Sequence, residues 1–368
     1  MAVLPLRSTG VLAAPLGDRT VLYDLVAEVV HVLNPSAGLL WAACDGAADL
    51  ESLVIEVAQA TGAEPARVGD DLRAGLRQLE HTALVGRARP APVPPSLAAP
   101  AAPGAHRSAV LAVLDDGVVV RSDDARLVAA VDGLLGKMAD ERSPSVVLGA
   151  SVSPAGAVRV TGHGPERVHP SVPAFLDQLP SALNQVAAAS SSCVALHAGC
   201  TRSPAGEVVV LPGTSGSGKS TLTAALVQAG WAYGTDEAVG LRTGTLAAVT
   251  YAKPLVVDAT ARSLLGLPAH PGPNLAPVDL AGEVTVLTGD AGPVDRVVLP
   301  RFEPGAEVCL SDPLPPDEAL VAVIEHALNL ARVGEPGLAA LCQLAARVPV
   351  QRLVHGDVAD AVERLRWP

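Results

Sequence analysis

The run Gly213-Thr214-Ser215-Gly216-Ser217-Gly218-Lys219-Ser220-Thr221 restricts this chain more than any other stretch of it. It fits G-x-x-x-x-G-K-[ST], a loop that cradles phosphate (a P-loop). Val208-Val209-Val210-Leu211 before it is an apolar run bounded by turn residues and reads as a buried strand. Leu222 to Val227 after it continues as a helix that stops at Gly230. Strand, glycine loop and helix start, in that order, aim backbone N–H groups and the positive helix end at one spot, where an anion gains most. In such a loop Lys219 reaches the β- and γ-phosphates and Ser220 holds Mg²⁺. The sequence therefore predicts a nucleoside triphosphate site at Gly213–Thr221, inside a domain that alternates strands and helices.

Composition narrows the partners. At 368 residues the chain has room for two or three domains, and with aromatics at 2% their cores must be built from Val, Leu and Ala. A net charge of −12 without a Lys/Arg cluster argues against nucleic acid. No apolar stretch is long enough to span a bilayer, and no basic segment followed by an apolar core opens the chain. No membrane contact and a cytoplasmic location are expected. The five cysteines form no C-x-x-C pair and read as buried thiols, and the histidines show no metal-ligand spacing.

The stretch from Pro90 through Gly104, rich in Pro and Ala and nearly free of charge, reads as a semi-extended spacer. It divides the chain into 1–89, a linker at 90–107, and 108–368. In the first part, Val11–Leu16 and Thr20–Tyr23 flank a turn at Gly17-Asp18, and Glu28–Leu33 gives a third strand. Asn34-Pro35 starts a helix, Leu50 to Gly62 bounds a second, and Val68 to Leu84 gives a third. Three strands followed by three helices predict a winged-helix-like domain. Its third helix sets Asp70, Asp71 and Glu80 against Arg73 and Arg77, which disfavours DNA. The order Val32-Leu33-Asn34-Pro35-Ser36-Ala37, Trp41, Asp45-Gly46, Thr61-Gly62 and Asp70-Asp71-Leu72 resembles the PqqD-like family, peptide-recognition domains of ribosomal peptide (RiPP) biosynthesis. The resemblance implies a docking module. A leader peptide would add as a strand beside Val29, Val30, His31, Val32 and Leu33, with its side chains near Leu72 and Leu76.

In the second part, Val110–Leu114 and Val118–Val120 flank Asp115-Asp116-Gly117, a hairpin signal. Helices are expected over Asp124–Met138 and Phe175–Ala189, and strands over Ser145–Leu148, Ala157–Val160 and Val348–Leu353. Leu196-His197-Ala198-Gly199 lies upstream of the glycine loop. Asp236-Glu237 follows one short helix downstream, nearer than the acid of most phosphate-loop proteins. This arrangement resembles the HPr kinase/phosphorylase family and, more closely, HPr-kinase-related proteins found beside PqqD-like domains. The resemblance implies a fold related to phosphoenolpyruvate carboxykinase and transfer of phosphate from ATP, with Mg²⁺, to a serine. The Pro-Gly-Arg-Asn signature of bifunctional members is missing; Asp312-Pro313-Leu314-Pro315-Pro316 stands in its place, which puts phosphorolysis and recognition of HPr in doubt.

The expected architecture is thus a two-domain α+β chain, a winged-helix-like PqqD domain and an α/β P-loop domain of the HPr kinase/PEP carboxykinase-like type. Asp236 is the candidate to accept or orient the acceptor hydroxyl's proton and to hold metal with Ser220, Glu237 assists or coordinates metal, and the reverse assignment stays open. His197 is a candidate for touching the transferred phosphate, Lys219 for neutralising it, and Lys253 and Arg296 for stabilising its charge. Three activities remain open: a kinase on a precursor peptide, a peptide scaffold with a regulatory or inert nucleotide site, and a nucleotidyl transferase. A precursor peptide is the expected partner, other RiPP enzymes are further candidates, and an oligomer is not excluded.

Overall fold

The computed structural model describes residues 3–88, 104–162, 165–268, 274–275 and 284–366. Contacts divide the chain into two compact units, residues 1–93 with 334–346, and residues 94–333 with 347–368. Most of the expected linker lies outside the described residues. Its end does not: His106–Arg107 forms a short strand, β4, so the second unit takes up sheet structure slightly before Ser108.

The first unit opens with the antiparallel sheet β1 (Val11–Leu16), β2 (Arg19–Asp24) and β3 (Val29–Leu33), followed by α1 (Pro35–Ala43), α2 (Leu50–Thr61) and α3 (Pro65–His81). The local chemistry accounts for these boundaries. Gly17 takes φ 62° at the β1–β2 turn, a conformation that costs other residues energy. The Asn34 side chain accepts from the Ala37 N–H at 2.9 Å, with Pro35 in the first turn, and the Asp49 side chain caps α2. Gly62, in the left-handed conformation, ends α2. Leu22, Leu40, Trp41, Val54, Leu72 and Leu79 meet in the core, each contributing about 1.5–3 kcal/mol of burial. A Cβ on Gly38 would stand 2.5 Å from Thr20 Oγ1, so α1 and β2 approach closely at this glycine.

The second unit contains two larger sheets. One pairs β4, β5 (Leu111–Val113), β6 (Asp116–Ser122), β7 (Val146–Val152), β8 (Val158–Thr161) and β9 (Arg167–His169), with α4 (Ala125–Leu135) and α5 (Val172–Ala188) in the same segment. The hairpin is present, but its turn sits earlier than expected. Val113 pairs with Asp116, and Leu114, at φ 52°, makes the turn with Asp115. Gly117 lies within the strand, where an added Cβ would meet Ser143 O at 2.6 Å. That glycine answers to a close approach and not to a turn.

The other sheet positions the candidate site. Its strands are β10 (Cys193–Arg202), β11 (Val208–Pro212), β12 (Ala232–Thr235), β13 (Ala238–Arg242), β14 (Ala247–Thr250), β17 (Gly289–Pro293), β18 (Arg296–Phe302), β19 (Cys309–Leu310) and β20 (Val350–His355). The segment between β14 and β17 carries the small pair β15 (Leu255–Val256) and β16 (Asn274–Leu275) and the helix α7 (Ala259–Leu264). β11 pairs antiparallel with β10 and parallel with β18, which in turn pairs parallel with β20. Every residue of β11 is buried, as a central strand covered on both faces requires. The helix α6 (Lys219–Gln228) follows it and buries Leu222 and Ala224 to Val227 in the core with Trp231, Tyr233 and Leu353.

Candidate functional site

The nine residues Gly213–Thr221 join the end of β11 to the start of α6. Gly216 and Gly218 take φ of 84° and 87°, and Gly218 is the N-cap of α6. Space is also tight at two of the glycines. A Cβ on Gly218 would stand 3.2 Å from Phe302 Cβ and 3.7 Å from His355 Nε2, and one on Gly213 would collide with Ser217 Oγ. Backbone contacts fix the loop at both ends: Gly213 N donates to His197 O at 3.3 Å, and Phe302 N donates to Ser217 O at 3.1 Å. Thr214, Ser215 and Gly216 form the exposed tip, and Ser220 and Thr221 are half-buried in the first turn of α6. The Ser217 Oγ is buried without a hydrogen-bond partner among the described residues.

Lys219 is buried, and its Nζ donates to the Asp236 carbonyl at 3.1 Å. Asp236 itself is 1% exposed. Its Oδ1 accepts from Lys253 Nζ at 2.7 Å, and its Oδ2 accepts from Val256 N at 3.3 Å. The Tyr233 hydroxyl, which donates to Lys253 O at 2.8 Å, lies 3.3 Å from the same Oδ1. Lys253 completes its bonds with Glu237 Oε2 at 3.2 Å and Pro254 O at 3.2 Å. Burial alone would raise the Asp236 carboxyl, but the charges of Lys253 and Lys219 and the bonds it accepts hold it below the usual range. Burial would likewise lower the Lys253 ammonium, and Asp236 with Glu237 raises it. The pair is ionised. Lys219, with weaker compensation, is pushed down by burial.

This geometry corrects the expected division of labour. Asp236 was expected to face an acceptor hydroxyl and a metal; the structure buries it and engages both of its oxygens. Glu237, a third exposed, is the carboxylate of the pair that reaches solvent. Lys253 is no loose cation but the buried counter-ion of Asp236. Arg296 cannot reach the loop. It pairs with Val209 near the start of β11, about 13 Å along the strand from Gly213 at ~3.3 Å per residue. There it donates to Glu207 Oε2 at 3.0 Å and Leu365 O at 3.1 Å, an ion pair of the fold.

His197 lies where expected, beside the loop on β10, with burial first and then Lys219 lowering its imidazole pKa and Glu237 opposing them. Two further histidines come to the same place without a sequence signal. His326 accepts the His197 N–H on its carbonyl at 2.8 Å, and its ring is lowered by burial and by Lys219, against Glu325. His355, 2% exposed, backs Gly218, and its Nε2 has no partner among the described residues. Both are over a hundred residues from the loop in sequence, counted from the numbering, and only strand pairing delivers them. Among the described residues no three His, Cys, Asp or Glu side chains gather as a metal centre.

In the first unit, β3 pairs with β2 alone among the described residues, so its other side is an open sheet edge. Val29 is exposed, and Val30, His31, Val32 and Leu33 are half-buried. Leu76 lies at the margin of the core, half-buried. Leu72 does not line a groove: it is 4% exposed and part of the core. Of the cysteines, four are buried and Cys309 is exposed, all as free thiols. No helix among the described residues is long and apolar enough to cross a membrane.

Residues 19–85 match the family model described as PqqD, Coenzyme PQQ synthesis protein D, so the first unit carries a PqqD domain. A solved structure described as TbiB1 in complex with the TbiA(beta) leader peptide is 25% identical, with a TM-score of 0.21, over 23% of this chain and 99% of that one. No curated protein matches the chain.

Proposed function

We propose that this chain is an ATP-dependent kinase that phosphorylates a serine or other hydroxyl of a ribosomally made precursor peptide held by its PqqD domain. The observation that carries the reading is the convergence of the Gly213–Thr221 loop, Lys219 and Glu237 at the end of β11. The loop fits a nucleotide's phosphates: its glycines allow close backbone approach, the start of α6 adds positive potential, and the buried Ser217 Oγ lacks a partner among the described residues. The resemblance to HPr kinases supports the same reading. Bound ATP with Mg²⁺ supplies the phosphoryl group and neutralises its charge. Ser220 and Glu237 would hold the metal together with oxygens of the nucleotide's phosphates.

The chain's own residues then have separate tasks. Loop amides and Lys219 fix the phosphates, and the Lys253–Asp236 pair fixes Glu237. Glu237 accepts the proton of the attacking hydroxyl as its oxygen bonds to phosphorus and the bond to the departing diphosphate breaks. The PqqD domain adds the leader segment along β3 by main-chain pairing. The spacer keeps the remainder of the peptide at an effective concentration on the order of millimolar.

A scaffold whose nucleotide site only regulates has one observation in its favour, the sealed state of Asp236. Incubating the chain and its precursor peptide with γ-labelled and with α-labelled ATP separates the readings. Label from γ alone on the peptide, lost in Glu237→Gln, supports the kinase. Label from α points to nucleotidyl transfer, and no label with intact peptide binding points to the scaffold.

A further inference from the structure

The segment between the helices Pro316–Ile324 and Leu330–Val333 is stitched to β10 as a short extra strand. Leu196 and Ala327 pair antiparallel, His197 N donates to His326 O at 2.8 Å, and Leu328 N donates to Ala195 O at 2.8 Å. Asn329, 5% exposed, anchors the stitch: its Oδ1 accepts from Ala195 N at 2.9 Å, and its Nδ2 donates to Ser190 O at 2.9 Å and Cys193 O at 3.0 Å. In this register His326 falls directly opposite His197, so the two side chains share one face of the sheet. The carbonyl of His197 holds the first glycine of the loop, and burial with the Lys219 charge lowers both imidazoles, against Glu237 at His197 and Glu325 at His326. Each histidine is half-buried.

We propose that His326, held against His197 by the Asn329 stitch, donates a hydrogen bond to the terminal phosphate of the bound nucleoside triphosphate. The inference rests on the nucleotide reading above and assigns a residue to it that lies far from the loop in sequence. Two imidazole N–H donors on the strand that holds the loop's first glycine would contact a group that a triphosphate has and a diphosphate lacks. His326 thereby gives the site its preference for the triphosphate.

The test is equilibrium binding of the non-hydrolysable ATP analogue AMP-PNP and of ADP, both with Mg²⁺, to the full chain. His326→Phe keeps the ring without a donor and should reduce the preference for the triphosphate about tenfold or more, a size in keeping with one hydrogen bond to a charged group. Its ADP affinity should stay at the wild-type value, which also reports that the loop is folded. His326→Gln restores a donor and should recover part of the loss. An unchanged ratio in His326→Phe, or equal wild-type affinity for the two nucleotides, overturns the role of His326 and leaves the nucleotide site standing. Failure of the wild type to bind either nucleotide overturns both.

Discussion

Lys253 Nζ stands 2.7 Å from Asp236 Oδ1, and neither side chain has more than 1% of its surface in contact with solvent. Removing one partner of such a pair leaves a buried charge alone. Lys253→Met should therefore cost about 3–5 kcal/mol. Urea denaturation checks it, and the double variant Lys253→Met/Asp236→Leu should regain much of the loss. A loss below about 1 kcal/mol in the single variant, the range of surface pairs, would contradict the burial described.

The same pair sets an acid limit. Because the folded Asp236 carboxyl lies below its unfolded value, its stabilisation is complete above about pH 4 and disappears as the pH falls through the folded value. Asp236→Asn should be much less stable than the wild type at neutral pH, and the gap should close on acidification. A gap that stays constant down to the acid transition would show that Asp236 is not ionised in the fold.

Two cations that look equivalent in the sequence should behave differently. Lys219→Ala should abolish nucleotide binding, since its ammonium lies at the loop. Arg296→Ala should leave binding unchanged and lower the melting temperature, because its bonds are to Glu207 and Leu365. Isothermal titration beside thermal denaturation distinguishes them, and weakened nucleotide affinity in Arg296→Ala would refute its placement.

Leu72 and Leu76, four residues apart on α3, should also separate. Leu72→Ala removes a core side chain and should destabilise the first unit by about 2–5 kcal/mol. Leu76→Lys, at the margin, should leave the unfolding midpoint nearly unchanged and weaken leader-peptide binding, measured by fluorescence anisotropy with a labelled peptide.

At Gly218 backbone and packing agree. With φ at 87° and Phe302 Cβ 3.2 Å from where a Cβ would sit, Gly218→Ala should cost about 1–3 kcal/mol of strain and also reduce nucleotide affinity. Substitution at Gly216, at the exposed tip with nothing near its Cβ position, should perturb packing less.

What the sequence made legible was what local chemistry decides. The Asn34-Pro35 helix start, the Gly62 stop and the strand–loop–helix around Gly213–Thr221 all follow from residues a few positions apart. Features set by distant contacts were not legible. Asp115-Asp116-Gly117 resembles a turn, yet Gly117 is explained by the approach of Ser143 O. Asp236-Glu237 is an undivided pair in the sequence, and only Lys253, Tyr233 and Val256 seal one and leave the other exposed. His326 and His355 carry no motif, because the registers of β10 and β20 bring them to the loop.

Among the described residues, β3 is unpaired along one side. An edge strand's outward N–H and C=O groups can pair with main chain from any source. Val29 at 44% exposure and Val26 at 49% add an apolar margin that no charge guards within the strand. A second copy pairing along this edge would compete with a peptide for the same seam. Self-association should rise with protein concentration and fall as peptide is added, so that the ligand acts as a solubilising cap on the molecule that captures it.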